Sequence, residues 1–271
     1  MKIICWFSCG VTSAVACKKA IDKFGLENCD IVYIHIDSAH EDNKRFISDC
    51  EKWYGKEIKV IKSDKYKNQF EIALDKKFIN SPSGSPCTFN LKKQVRLSYE
   101  KLGFDFQVFG FEYSKKEINR AVRFKEQYNE TKPIFPLIEN KLTKNDCMKI
   151  LQSENIEIPV MYKLGYSNNN CIGCFKGGAG YWNKIRKDFP NVFSKVAKIE
   201  REINASCLKG KFLDELEPTC GNQKNIEIPD CSINCEIEFK DILSYQTKLI
   251  LKDLLNINED VYVKNEQMRL F

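Results

Sequence analysis

Three groups of residues in this chain have the types and spacing to do chemistry. The first is Ser8-Cys9-Gly10-Val11-Thr12-Ser13, a polar, glycine-bearing turn between the apolar run Ile3–Phe7 and a helix-patterned segment. Such a strand–turn–helix junction gathers backbone N–H groups, hydroxyls and a helix N-terminus at one point, which suits a phosphate or pyrophosphate. The alternative for these residues taken alone is an ordinary β-to-α turn. The second group is cysteine. Cys171-Ile172-Gly173-Cys174 has the spacing of a metal-ligand pair, and Cys231-Ser232-Ile233-Asn234-Cys235 offers another. Two such pairs suit a tetrahedral thiolate zinc site or an iron–sulfur cluster. The third group is cationic: Lys92, Lys93 and Arg120 could face the same crevice and neutralise a phosphoryl or sulfonyl group. For the lysines the alternative is a solvated helix face. Glu117 and Arg120, spaced i, i+3, could simply pair with each other.

The elements that must position these groups alternate. After the turn, Ala14, Cys17, Ile21 and Phe24 recur at helical spacing with Lys18, Lys19, Asp22 and Lys23 opposite, and Gly25 supplies the stop. Ile31–Ile36 reads as a buried strand, Glu41–Tyr54 as a charged helix ended by Gly55, and Lys59–Ile61 and Phe106–Phe109 as further strands. Strands separated by helices predict a doubly wound, mainly parallel α/β sheet with ligands at the carboxyl ends of its strands. Asp37, at one such end, could accept from a ribose or an adenine edge; its alternative is a helix N-cap. The loop Asn80–Pro86 delivers Cys87 and a helix beginning near Thr88, and Thr143 with Asp146 predicts a capping box. Near Tyr166 the pattern turns helical and then irregular, which divides the chain into residues 1–165 and a smaller helical, cysteine-bearing appendage, 166–271.

A chain of 271 residues with 43% hydrophobic and 30% charged content reads as a soluble globular protein, with no apolar run of membrane-span length. The apolar N-terminal run is too short for a signal peptide, so a reducing, cytoplasmic setting is expected. Thirteen cysteines in that setting are not a disulfide framework, and some should be metal ligands or reactive thiols. Cys17, Cys29, Cys50 and Cys147 read as small core residues. The net charge of +6 is compatible with phosphate-bearing substrates and does not by itself require nucleic acid. Lys176, Lys184, Arg186 and Lys187 interleave with Phe175, Tyr181 and Trp182; contact with nucleic acid is one reading, an amphipathic helix with a basic face the more usual one. His35 is expected in the core and His40 at the surface.

In order, these segments resemble the PP-loop ATP pyrophosphatase superfamily and, within it, the phosphoadenosine phosphosulfate (PAPS) reductase family. Ser8–Ser13 resembles the family loop Ser-Gly-Gly-x-Asp-Ser, and Ile34-His35-Ile36-Asp37-Ser38 the strand end that meets adenosine. Pro86–Lys92 is similar to its Cys-Thr-x-x-Leu-Lys segment, and Gly110-Phe111 with Glu117 and Arg120 to its phosphate-side helix. Pro133–Ile138 and Tyr162–Tyr166 are similar to its late core. The likeness covers roughly residues 1–190. It implies an adenine nucleotide alpha hydrolase-like fold binding ATP or a sulfonucleotide (PAPS or adenosine phosphosulfate) through Ser8, Cys9, Gly10, Thr12, Ser13 and Asp37, with Cys87, Lys92 and Arg120 as catalytic groups. It also draws Cys87 towards Cys171 and Cys174, so that five cysteines compete for four positions and a 4Fe–4S cluster is favoured over zinc. Two departures stand out: Cys9 replaces a glycine, and Thr12 replaces the Asp that would organise Mg²⁺. The family's C-terminal nucleophilic cysteine has no counterpart after Cys235, which argues against simple sulfonucleotide reduction. The expected activity is adenylation-linked sulfur transfer to a nucleic-acid or small-molecule acceptor. The alternatives are thiol-dependent reduction of a sulfonucleotide to sulfite, and a nucleotide-sensing or nucleic-acid-binding protein with a structural zinc. Oligomeric state is not legible.

Overall fold

The computed structural model describes residues 1–80 and 85–222 and the single positions Ile226 and Ile250; Cys231 and Cys235 lie outside the described residues. Five parallel strands, β1 (Ile3–Trp6), β2 (Cys29–Ile34), β3 (Lys59–Ile61), β4 (Phe106–Val108) and β5 (Pro133–Ile134), lie in the order β3-β2-β1-β4-β5. Helices α1 (Val11–Phe24), α2 (Asn43–Tyr54) and α3 (Gln69–Lys76) alternate with the first strands. There follow α4 (Pro86–Thr88), a π-helical turn Phe89–Lys93, and α5 (Gln94–Glu100). The remaining helices are α6 (Lys115–Gln127), α7 (Pro136–Glu139), α8 (Lys144–Ser153), α9 (Val160–Lys163), α10 (Ala179–Asp188) and α11 (Pro190–Ile203).

The two-residue alternation of β1 divides the interior. Ile3, Cys5 and Phe7 face a core shared with Ile31, Tyr33, Val108 and the inner face of α1, whereas Ile4 and Trp6 face Val32, Ile34, Phe109, Phe124 and Phe135. β1 is buried along its whole length, as a parallel strand covered on both faces must be. Each large apolar side chain buried this way contributes about 1.5–3 kcal/mol. Cys17, Cys29, Cys50 and Cys147 are all fully buried in the first of these cores, and burial pushes the Cys50 and Cys147 thiols up to about 12. The indole N–H of Trp6 is satisfied by Gln107 Oε1 at 2.6 Å, and Gln107 donates onward to Glu100 at 2.9 Å. The edge strand β3 carries Lys59 and exposed Val60, its lysine paired with Asp30 at 2.9 Å.

A further core joins Phe70, Ala73 and Ile79 to Met161, Tyr166, Phe175, Tyr181, Trp182, Ile185 and Val196. The basic–aromatic pattern of 175–187 is thereby explained by amphipathicity: Phe175, Tyr181 and Trp182 are buried, Lys184 pairs with Asp188 at 2.9 Å, and Arg186 donates to Leu216 O at 2.6 Å. His35 corrects its expectation. Strand β2 ends at Ile34, and His35 lies half-exposed with Nε2 3.3 Å from Asp37. The capping box forms as expected, Asp146 N donating to Thr143 Oγ1 at 3.3 Å and Thr143 N to Asp146 at 3.0 Å.

The strand order reverses between β1 and β4, which is where a doubly wound sheet opens a ligand crevice. Gly110, just past β4, is forced by this geometry: a Cβ there would stand 2.7 Å from Ser13 Cα and 2.8 Å from Ser13 N. Backbone cannot retreat as a flexible side chain can. Gly110→Ala is therefore expected to cost about 2–3 kcal/mol, read as a melting-temperature drop of about 5 °C or more; an unchanged midpoint would show that the two backbones do not press on each other.

Candidate functional site

The loop closes on one hydroxyl. Ser13 Oγ accepts from Ser8 N at 3.0 Å, Ser8 Oγ at 3.0 Å and Gly10 N at 3.3 Å, and donates to Gly10 O at 2.9 Å. Ser13 is consequently a tether, only 3% exposed, while Thr12 at the start of α1 lines the cavity with Ser8 and Gly10. Val11 N is 3.4 Å from Tyr162 Oη, which accepts from it. Cys9 adopts φ +61, the left-handed region that glycine occupies without cost. Its fully buried side chain lies against Asn43 O at 3.7 Å, and desolvation keeps the thiol strongly protonated.

A cavity of about 280 Å³ opens above this loop, bounded by Ser8, Gly10, Thr12 and Ser13, by Trp6, Tyr33, Ile34, Ile36 and Phe109–Glu112, and by Asn168–Cys171. Its cations are Lys92, Lys116 and Lys144. Lys92 was legible from the sequence; Lys116 and Lys144 were not. Lys144 opens α8 directly after the Thr143 cap, donates through Nζ to Ser167 O and Asn168 Oδ1, both at 2.7 Å, and lies 5.6 Å from the Tyr162 ring centroid. Its backbone N–H donates to the Glu112 carboxylate. The chain leading to Cys171 is pinned to the loop itself. Asn169 Nδ2 donates to Cys9 O at 2.7 Å and to Asn43 Oδ1 at 2.8 Å, and Asn43 donates in turn to Tyr33 Oη at 3.1 Å.

Asp37 and Arg120 are not brought to this cavity. Tyr33, Ile34 and Ile36 line it, whereas His35 and Asp37, beyond the end of β2, face each other at 3.3 Å. Arg120 pairs with Glu117 at 3.2 Å and lies 4.6 Å from the Phe111 ring centroid, and it is Glu117 and Phe111 that line the cavity. Lys93 lies over Phe89 and Tyr128, at 5.9 and 5.8 Å.

Beside this cavity is a smaller one, lined by Cys87, Cys171 and Cys174 with Ile36, Gln69, Thr88, Leu91, Lys92 and Phe175. Ile36, Lys92 and Cys171 belong to both walls. The π-helical turn Phe89–Lys93 brings Leu91 and Lys92 to the same side as Cys87 and Thr88. The Cys171–Cys174 turn is held through its backbone by one main-chain and two side-chain partners: Ile172 N donates to Ser38 O at 2.8 Å, Gln69 Nε2 to Ile172 O at 3.0 Å, and Cys174 N to Tyr181 Oη at 2.8 Å. Gly173 sits at φ +74, and a Cβ there would meet Val192 Cγ1 at 2.7 Å. Cys87 Sγ lies 3.1 Å from Ser85 Oγ.

Among the described residues, no three His, Cys, Asp or Glu side chains close around a single ion. The three cysteines around one cavity are soft sulfur donors of the kind that hold zinc or an iron–sulfur cluster. Gly173→Ala should therefore lower metal uptake by strain in the Cys171–Cys174 turn, measured as metal per chain. Ser13→Ala should leave Ser8 N and Gly10 N without their acceptor and weaken ATP binding at least tenfold by calorimetry. Full affinity in Ser13→Ala would show that the loop does not depend on the tether.

No curated protein sequence matches this chain. Among solved structures it is similar to the U34-tRNA thiolase NcsA from Methanococcus maripaludis with its [4Fe-4S] cluster, at 15% identity over 75% of this chain and 72% of that one, with a TM-score of 0.34. A similarity that low carries no inference about this chain. The family model of the phosphoadenosine phosphosulfate reductase domain matches residues 2–178, the stretch that holds the loop, both cavities and all three of their described cysteines. The chain belongs to the phosphoadenosine phosphosulfate reductase domain family.

Proposed function

We propose that this chain is a PP-loop enzyme that binds ATP at Ser8–Ser13, adenylates an acceptor and transfers sulfur to it beside a 4Fe–4S cluster held by Cys87, Cys171 and Cys174. Cys231 and Cys235 remain the further ligand candidates from the sequence. The observation that carries this reading is the shared wall: Ile36, Lys92 and Cys171 line both the cavity over the loop and the three-cysteine cavity. A nucleotide whose phosphates rest on the loop is thereby adjacent to sulfur ligands.

Each wall has a chemical task. The α1 N-terminus and Thr12 hydroxyl receive the phosphates. Lys92, at the junction, offsets negative charge that develops when a phosphate oxygen becomes the leaving group. Trp6, Phe109 and Phe111 give the cavity an apolar side that excludes water and strengthens that electrostatic contribution. When bound, the cluster would supply iron able to hold a sulfur atom next to the activated acceptor. Thr12, in place of an aspartate, leaves Glu112 and Glu117 as the carboxylates on this wall.

Anaerobically purified protein should be brown and contain iron and sulfide; colourless protein with stoichiometric zinc would sink the cluster. With ATP, Mg²⁺ and the acceptor, AMP and pyrophosphate should appear together. Formation of neither across nucleic-acid and small-molecule acceptors would favour a nucleotide sensor. Lys92→Ala should weaken ATP binding more than Arg120→Ala does, and the reverse order would move the phosphate site to α6.

A further inference from the structure

One polar atom in the three-cysteine cavity has nothing to bond among the described residues. Thr88 is 2% exposed and lines that cavity, and no described residue is a hydrogen-bond partner of its Oγ1. A buried hydroxyl left unpaired costs about 1–3 kcal/mol. Its neighbours are already engaged or cannot accept. The Ser85 carbonyl takes Thr88's own N–H at 3.0 Å, and Ser85 Oγ donates to Ile79 O at 3.0 Å. The Gln69 amide accepts from Ser38 Oγ at 2.5 Å and donates to the carbonyls of Ile172 and Gly173. Ile36, Leu91 and Phe175 are apolar, and Lys92 has no acceptor. Sulfur is what remains around this cavity, and none of the three cysteine sulfurs accepts from Thr88 as the chain stands.

We infer that Thr88 is a positioning residue whose hydroxyl donates a hydrogen bond to a non-cysteine sulfur atom held between Cys87, Cys171 and Cys174. The inference rests on the cluster reading above and adds to it a donor supplied by the protein. A hydrogen bond to such a sulfur stabilises the more negative, reduced form of the bound group and raises its potential. The orphaned hydroxyl is the accompanying cost, present in the metal-free chain and removed on loading.

That division gives opposite signs in the two states. Thr88→Val keeps the shape and deletes the hydroxyl; Thr88→Ser keeps the hydroxyl. Wild type and both variants are reconstituted anaerobically with ferrous iron and sulfide. Their potentials are measured by mediated redox titration, and the melting of the metal-free chains is compared. The valine variant should melt at or above wild type when metal-free and show a more negative potential when loaded, with serine returning the potential towards wild type. Equal potentials in wild type and valine variant overturn the inference while leaving the cluster intact. A metal-free valine variant that melts below wild type also overturns it, because the hydroxyl would then have a protein partner. Wild-type protein that takes up no iron overturns the cluster reading and, with it, this role for Thr88.

Discussion

The site depends on how closely two backbones can approach at the carboxyl edge of the sheet. Between β1 and β4 the chain must both turn into α1 and let Gly110 pass within van der Waals contact of Ser13. There is no room for a side chain at position 110 and little for a loop that wanders. The Ser13 hydroxyl answers the second requirement by folding Ser8 and Gly10 back on itself. With the loop fixed, the helix N-terminus, the Lys92 wall and the aromatic side of the cavity fall around one point.

The residues at this point accept local costs. Cys9 holds a left-handed conformation at about 1–2 kcal/mol relative to a glycine, compensated by burial of its side chain and by a carbonyl turned to receive Asn169. Thr88 carries an unpaired hydroxyl. Elsewhere the interior shows alternating strand faces, aromatic packing around Phe109, Phe124 and Phe135, and a Trp6 indole satisfied by Gln107, while the Trp182 indole and the Asn183 amide oxygen are buried without a partner among the described residues.

Much of this was legible in the sequence because it is local. The Ser8–Ser13 turn, the strand–helix alternation, the Thr143 cap and the Cys171–Cys174 pair each depend on residues a few positions apart. What was missed depends on direction or on distant partners. Asp37 follows a strand end, but the chain has left the strand by then: its N–H goes to Lys67 O and its carboxylate faces His35. Arg120 pairs with Glu117, the alternative that their i, i+3 spacing already offered. Lys144 and the Asn168–Asn170 segment join the cavity from far along the chain, and no periodicity announces that. The signal that existed was Gly110, a glycine directly after a strand, whose reason is visible only against Ser13.

Asn169 ties the first turn of the protein to a segment 160 residues later. During synthesis the loop emerges early, together with its helix, yet its cavity has no fourth wall until the chain beyond Cys171 has left the ribosome. Domains made amino end first ordinarily complete their sites in that order; this one cannot. The late tie makes synthesis past Cys174 the condition for closing the wall that the two cavities share.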